Sequence, residues 1–196
     1  MRVLWVTFFL VLADQATKLV VKYNMALGES IPVVGRLFRF TFTENPGMAF
    51  GLTVGSKLFL TLFSIAATVL IAVYLYRVRW APFGYRLALS LVLGGALGNV
   101  IDRVFYGMAF SECYPSPPES YRPFYGCVVD FLHIDLWQGE VFGRGVALFP
   151  IGNIADVAII AGVVLILITQ NRFHEAVLAR DAAATPAPLA APTAEA

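Results

Sequence analysis

At 196 residues, 59% hydrophobic and 14% charged, with a mean hydropathy of +0.74, the chain is read as an integral membrane protein. Soluble domains are nearer about 45–50% apolar and about 25% charged. A formal net charge of +1 excludes a nucleic-acid binder, which needs a strong basic excess. Two cysteines, Cys113 and Cys127, are too few for a disulfide scaffold, although both fall in one polar loop where a single bridge can form outside the cytoplasm.

Four runs are long enough to cross a bilayer, over residues 3–21, 58–76, 85–104 and 152–168. The first, with Arg2 ahead of it, has the outline of a secretory signal. Its apolar character resumes at Leu19-Val20-Val21 and no clean A-x-A site follows, so it is expected to be a retained span. Within it, Asp14 and Lys18 are four apart and share a helix face. They are either an internal ion pair with Lys18 snorkelling or a support for a site.

The outer segment 22–57 contains Phe38-Arg39-Phe40-Thr41-Phe42-Thr43, an alternation with the period of a strand, closed by the turn residues Glu44-Asn45-Pro46-Gly47. It is either part of a small sheet on the membrane surface or an aromatic loop. The loop between the second and third runs carries Arg77, Arg79 and Arg86 without an acid, and Arg172 and Arg180 follow the fourth. By the positive-inside rule that end is cytoplasmic, which puts both termini inside.

The third run ends in Gly94-Gly95-Ala96-Leu97-Gly98-Asn99-Val100-Ile101-Asp102-Arg103. Gly94 and Gly98 offer a surface for close helix packing. Asn99, Asp102 and Arg103 make a polar stripe, either a structural ion-pair network or a site. The outer segment 105–151 begins as a loop rich in Pro and Ser and then presents Val128-Val129-Asp130-Phe131. The fourth run opens on Asn153 and Asp156, three apart on one face. The last stretch, 171–196, becomes an Ala/Pro-rich cytoplasmic tail and is expected to be disordered.

Asp130 and Asp156 therefore each sit in an apolar frame, where an ionised carboxylate is expensive and is normally retained for a paired role. If they meet, like charges that close hold one proton between them near neutral pH. Such a dyad splits an amide with water, one member as base and the other as acid. The polar residues gather at one depth, the outer boundary.

Taken in order, Asp14-Gln15-x-x-Lys18, Asn45-x-Gly47-x-Ala49-Phe50, Gly94-Gly95-x-x-Gly98-Asn99-x-x-Asp102-Arg103, Val129-Asp130-Phe131 and Asn153-x-Ala155-Asp156 resemble the blocks of the lipoprotein signal peptidases (signal peptidase II), aspartic membrane proteases of bacteria. The resemblance covers about 3–170 and implies a mainly α membrane fold. Its parts are four transmembrane helices in one domain, an outer β-cradle and a short interfacial helix, in a monomer of the bacterial inner membrane. It implies removal of the signal peptide from diacylglyceryl-modified prolipoproteins just before the lipid-bearing cysteine, without metal or organic cofactor. Asp130 and Asp156 match the catalytic pair; Asn99, Arg103 and Asn153 match site-lining positions and Asn45 the cradle asparagine. Asp14, Lys18 and Asp102 match positions that support site and fold. The chain departs from the family pattern in the extra segment 108–127 and in Gly152 where an aromatic is common. Competing readings are a transporter or channel using Asp14, Lys18, Asp102 and Asp130 as a relay, a metal site from Cys113, Cys127 and His133, and a presenilin-like protease, whose Gly-x-Gly-Asp block is absent.

Overall fold

Helix α1 (Leu4–Asn24) is apolar around most of its surface and carries Lys22 in its last turn, a cation suited to the negative end of the helix. Three more helices of membrane-spanning length follow in the computed structural model, which describes residues 2–49, 52–53, 57–110, 122–136, 138–141, 144–147 and 149–184. They are α2 (Lys57–Arg77), α3 (Phe83–Ile101) and α5 (Ile154–Ala184). α3 continues through a π-helical turn, Asp102–Tyr106, into a last helical turn, α4 (Gly107–Ala109). The four expected spans are all present.

α3 is the central helix and packs on α5, α1 and α2. Its buried positions are small or apolar: Ala88, Leu89, Ser90, Leu93, Gly94, Gly95 and Gly98. The glycines set how close the neighbours come. A Cβ on Gly94 would stand 2.6 Å from Leu10 Cδ2, one on Gly98 would stand 2.5 Å from Asp14 Oδ2, and one on Gly95 would overlap the Ala155 carbonyl oxygen. α1, α2 and α5 leave Phe8, Phe9, Phe63, Leu70, Ile160 and Ile168 uncovered, as lipid-facing residues are.

The 38–43 alternation is strand β2 (Phe38–Asn45), the middle of a three-stranded antiparallel sheet with β1 (Ser30–Val34) and β5 (Val128–Ile134). A bulge in β2 between Phe40 and Thr43 shifts the register, so Phe40 opposes Leu132 while Thr43 opposes Asp130. Two small ladders, β3 (Met48–Ala49) with β4 (Leu52–Thr53) and β6 (Gln138–Val141) with β7 (Arg144–Ala147), complete the β structure. The sheet is fixed to the bundle by a core of Val21, Phe42, Tyr106, Val129 and Phe131. Beside it Lys22 pairs with Glu44 and sits 4.6 Å from the Phe110 ring centroid.

Among the described residues α4 prolongs α3. One expectation needs correction. The 171–196 tail is helical as far as Ala184, and residues 185–196 lie outside the described residues. The helix is held there by rings: Phe173 stacks on Tyr85 at 4.0 Å and on Trp80 at 5.8 Å, and the Arg180 guanidinium lies 4.6 Å from the Trp80 ring centroid. Composition read as disorder gave way to good helix formers docked on the α2–α3 loop.

Because the Gly95 contact is with backbone, Gly95→Ala forces α3 and α5 apart. The expected loss is about 1–3 kcal/mol, read as a lower Tm of the detergent-solubilised protein by intrinsic fluorescence.

Candidate active site

The N-terminus of α5 shows how local rules build the site. Asn153 precedes the helix and its Oδ1 accepts the Asp156 backbone N–H at 3.0 Å, while Asp156 Oδ2 accepts the Asn153 backbone N–H at 3.2 Å. This reciprocal cap explains the three-residue spacing. It consumes the oxygen of the Asn153 amide and leaves the Nδ2 group to donate away from the helix end. That group donates 2.7 Å to Asp130 Oδ1, 3.2 Å to Asn99 Oδ1 and 3.3 Å to the Val129 carbonyl.

Asp130 is delivered by β5, whose edge is pinned to the approach of α5: the Phe131 and Leu132 N–H groups both donate to the Gly152 carbonyl, at 2.8 and 2.7 Å. Asp156 Oδ1 accepts Asn99 Nδ2 at 2.9 Å. The structure thus brings Asp130, Asp156, Asn99 and Asn153 into one cluster. Asn45 joins it, hydrogen-bonding Asp130 with its side chain while its Oδ1 accepts the Gly47 N–H at 2.9 Å. Gly47 has φ +108° and leaves room for Arg103, whose Nη1 would stand 3.1 Å from a Cβ there. The Arg103 charge acts on Asp130, Asp102 and Asp156.

Asp130 is 2% exposed. Burial, reinforced by the neighbouring Asp156 charge, pushes its carboxyl up from the usual 3.8 to about 7; the hydrogen bonds from Asn45 and Asn153 and the Lys18 charge pull the other way and lose.

Behind the dyad lies a second, drier layer. Lys18 Nζ, with no exposure, spends its three donors on Asp14 Oδ2 (2.8 Å), Asp102 Oδ2 (2.8 Å) and Asn99 Oδ1 (3.0 Å). The reading of Asp14 and Lys18 as a helix-face pair holds, and Asp102 joins it. Two residues with roles that sequence reasoning passed over complete the layer. Gln15 Nε2 contacts Asp102 Oδ1 at 2.8 Å, Asp14 Oδ2 at 3.1 Å and the Gly98 carbonyl at 3.1 Å, and its Oε1 accepts the Tyr106 hydroxyl at 3.2 Å. Tyr106 stands four residues after Asp102, a spacing that was available as a signal. Asp14 has a further task with no signal in sequence: its Oδ1 accepts the Ala155 N–H at 3.0 Å, capping α5 from another helix.

The metal reading from Cys113, Cys127 and His133 meets a different geometry. Cys127 is disulfide-bonded and so offers no thiolate; Cys113 lies outside the described residues; His133 Nδ1 is 3.0 Å from Thr41 Oγ1. Chemically, the cluster offers two carboxyls sharing asparagine donors, one of them protonated near neutral pH, with an arginine beside them.

Removing Lys18 leaves two buried carboxylates without their cation. Lys18→Met is expected to cost about 3–5 kcal/mol, measurable by denaturant unfolding in micelles. Asp130 gives a pH signature. Its folded form keeps a proton between 3.8 and about 7 that the unfolded chain has lost, so its contribution to stability declines as pH rises through that window. Asp130→Asn lacks this decline: its Tm is expected to exceed that of the unaltered protein at pH 8, with the gap closing toward pH 4.

The chain is similar in sequence and in fold to known proteins. The family described as Signal peptidase (SPase) II matches residues 6–172. A lipoprotein signal peptidase of Amoebophilus asiaticus is 39% identical over 82% of the chain and 74% of its own length, and one of Porphyromonas gingivalis is 38% identical over 83% and 80%. Two solved bacterial membrane enzymes, determined by the in meso method, are 28% and 29% identical. Each aligns with a TM-score of 0.62, over 87% and 86% of this chain and 88% and 92% of theirs. The chain belongs to the signal peptidase II family.

Proposed function

We propose that the chain is an aspartic endopeptidase that cuts diacylglyceryl-modified prolipoproteins just before the lipid-bearing cysteine, with Asp130 and Asp156 as its catalytic pair. Family membership makes it a signal peptidase acting on prolipoproteins. The observation that carries the aspartic mechanism is the joining of the two carboxyls through Asn153 and Asn99, with the Asp130 carboxyl pushed up to about 7 by burial and by the neighbouring Asp156 charge.

In this reading the ionised member of the pair takes a proton from a water, and the hydroxide attacks the scissile carbonyl. The protonated member donates to the carbonyl oxygen, and the intermediate collapses as the leaving nitrogen is protonated. The protons belong to the coupled pair rather than to one residue. Asn99 and Asn153 hold the carboxyls, while Asn45 and Arg103 supply donors and positive charge beside Asp130. All of these groups come from one chain, so a monomer suffices, and water is the one co-reactant the chemistry requires.

The site faces outward in this reading, with both termini cytoplasmic. Arg77, Arg79, Arg86, Arg172 and Arg180 belong to the opposite ends of the helices from Asn99 and Asp156. The disulfide at Cys127, three residues before Asp130, fits an oxidising compartment. The diacylglyceryl group would hold the substrate cysteine at the same interface.

Asp130→Asn and Asp156→Asn are each expected to lower cleavage of a lipid-modified prolipoprotein by about 10³-fold or more, while the variants still insert. Full cleavage by either variant, read as a mobility shift on gels, would sink the assignment. With the unaltered enzyme, kcat/KM is expected to fall as pH rises above about 7, where Asp130 loses its proton.

A further inference from the structure

Thr61, in the second turn of α2, is 1% exposed although its side chain is polar. Its hydroxyl reaches two carbonyls, that of Lys57 in its own helix at 3.0 Å and that of Phe124 at 2.9 Å. Ser64 and Thr68 of the same helix bond back to Leu60 and Ser64, which is how a hydroxyl inside a helix is ordinarily satisfied. The second acceptor of Thr61 belongs to an unusual residue. Among the described residues Phe124 is the one non-glycine with a left-handed backbone, φ +70°. A bulky side chain stays in that conformation where its surroundings hold it there.

Phe124 in turn bears on the π-helical turn at the end of α3. Its N–H donates to the Val104 carbonyl at 3.1 Å, and the Gly126 N–H donates to the Arg103 carbonyl at 2.9 Å. A Cβ on Gly126 would overlap the Asp102 carbonyl oxygen, so the segment 122–127 lies directly on the turn. In an α-helical register the Arg103 carbonyl would accept the Gly107 N–H. Here that carbonyl accepts Gly126 from outside the helix, and the wider turn Asp102–Tyr106 is kept. The two registers set successive side chains at different angles, so the register decides where Arg103 points. In the π register its Nη1 lies beside Gly47 and its charge acts on Asp130 and Asp156.

We propose that Thr61 is a positioning residue for the cleavage reaction: it holds Phe124 in the left-handed conformation, which keeps segment 122–127 on the π-helical turn and Arg103 aimed at the carboxyl pair. The proposal rests on the peptidase reading above and brings α2 into the site. The Thr61 hydroxyl is spent on Lys57 and Phe124, so it acts through the backbone of the turn and not on the substrate.

The test uses full-length enzyme in lipid nanodiscs and a lipid-modified prolipoprotein peptide. Thr61→Val removes the hydroxyl with little change of shape. It is expected to lower kcat about tenfold while KM stays within about threefold, because the loss falls on a group beside the reacting carbonyl. Thr61→Ser keeps the donor and is expected to stay within about twofold of the unaltered enzyme. Two further backgrounds separate positioning from a general weakening of the fold. In Arg103→Gln enzyme no guanidinium remains to be aimed, and adding Thr61→Val is expected to cost less than about threefold. In Phe124→Gly enzyme the left-handed backbone carries no strain, and the same addition is again expected to cost less than about threefold. A tenfold cost undiminished in either background overturns the proposal. So does full activity of Thr61→Val, or a Thr61→Ser variant as impaired as Thr61→Val. Absence of cleavage by the unaltered enzyme overturns the peptidase reading itself, which keeps the two failures distinct.

Discussion

Lys18 is a fully buried ammonium in a helix surrounded by apolar residues, and the site is organised around keeping it satisfied. Such a charge is tolerable in a low-dielectric interior when its donors are all used and a counter-ion is close. Those conditions tie α1 to α3 through Asp102 and Asn99, and to α5 through Asp14, which caps that helix at Ala155. Asp102 then reaches β5, where its Oδ2 accepts the Val129 N–H at 3.3 Å. One cation thereby fixes the relative positions of all the elements that bear the dyad.

The order imposed by Lys18 reaches the carboxyls through amide groups that have one satisfactory orientation. Asn99 Oδ1 accepts from both Lys18 and Asn153, so its Nδ2 is left to donate to Asp156. Asn153 uses its oxygen on the helix end, so its Nδ2 is left to donate to Asp130. Each amide is turned by a bond on its far side, and reversing either would set donor against donor or acceptor against acceptor. This is how side chains with no charge hold two like carboxyls at close quarters.

Much of this was legible in sequence, for physical reasons that differ by element. The spans follow from bilayer thickness, and β2 from its alternation. The Asn153–Asp156 and Asp14–Lys18 spacings follow from the helix repeat, which local sequence displays. What sequence hid was partnership across elements. The polar stripe of α3 divides between two tasks, Asn99 toward the dyad and Asp102 toward Lys18, and no spacing says which. β5 escaped notice because Val128 through Phe131 are all buried, so the strand shows no alternation. The α5 extension escaped because an Ala-rich composition says nothing about Trp80 and Tyr85, which receive Phe173 from a distant part of the chain.

The extra segment 108–127 is explained by where its ends lie rather than by its contents. At its start, a Cβ on Gly107 would fall 2.5 Å from the Arg122 carbonyl and 2.8 Å from Gly126 N. At its return, the Gly126 N–H donates to the Arg103 carbonyl at 2.9 Å, the Phe124 N–H to Val104 at 3.1 Å, and the Phe124 carbonyl accepts Thr61 Oγ1 from α2 at 2.9 Å. The two described ends of the segment thus meet at one place, the π-helical turn that also carries Asp102 and Arg103. Closing a loop whose ends already touch costs free energy that grows with the logarithm of its length, about 0.6 kcal/mol per doubling. The disulfide at Cys127 constrains the returning end further. Added residues between such anchors leave the first residue of β5, and hence Asp130 two positions on, where the π turn and the Gly152 pairing put them.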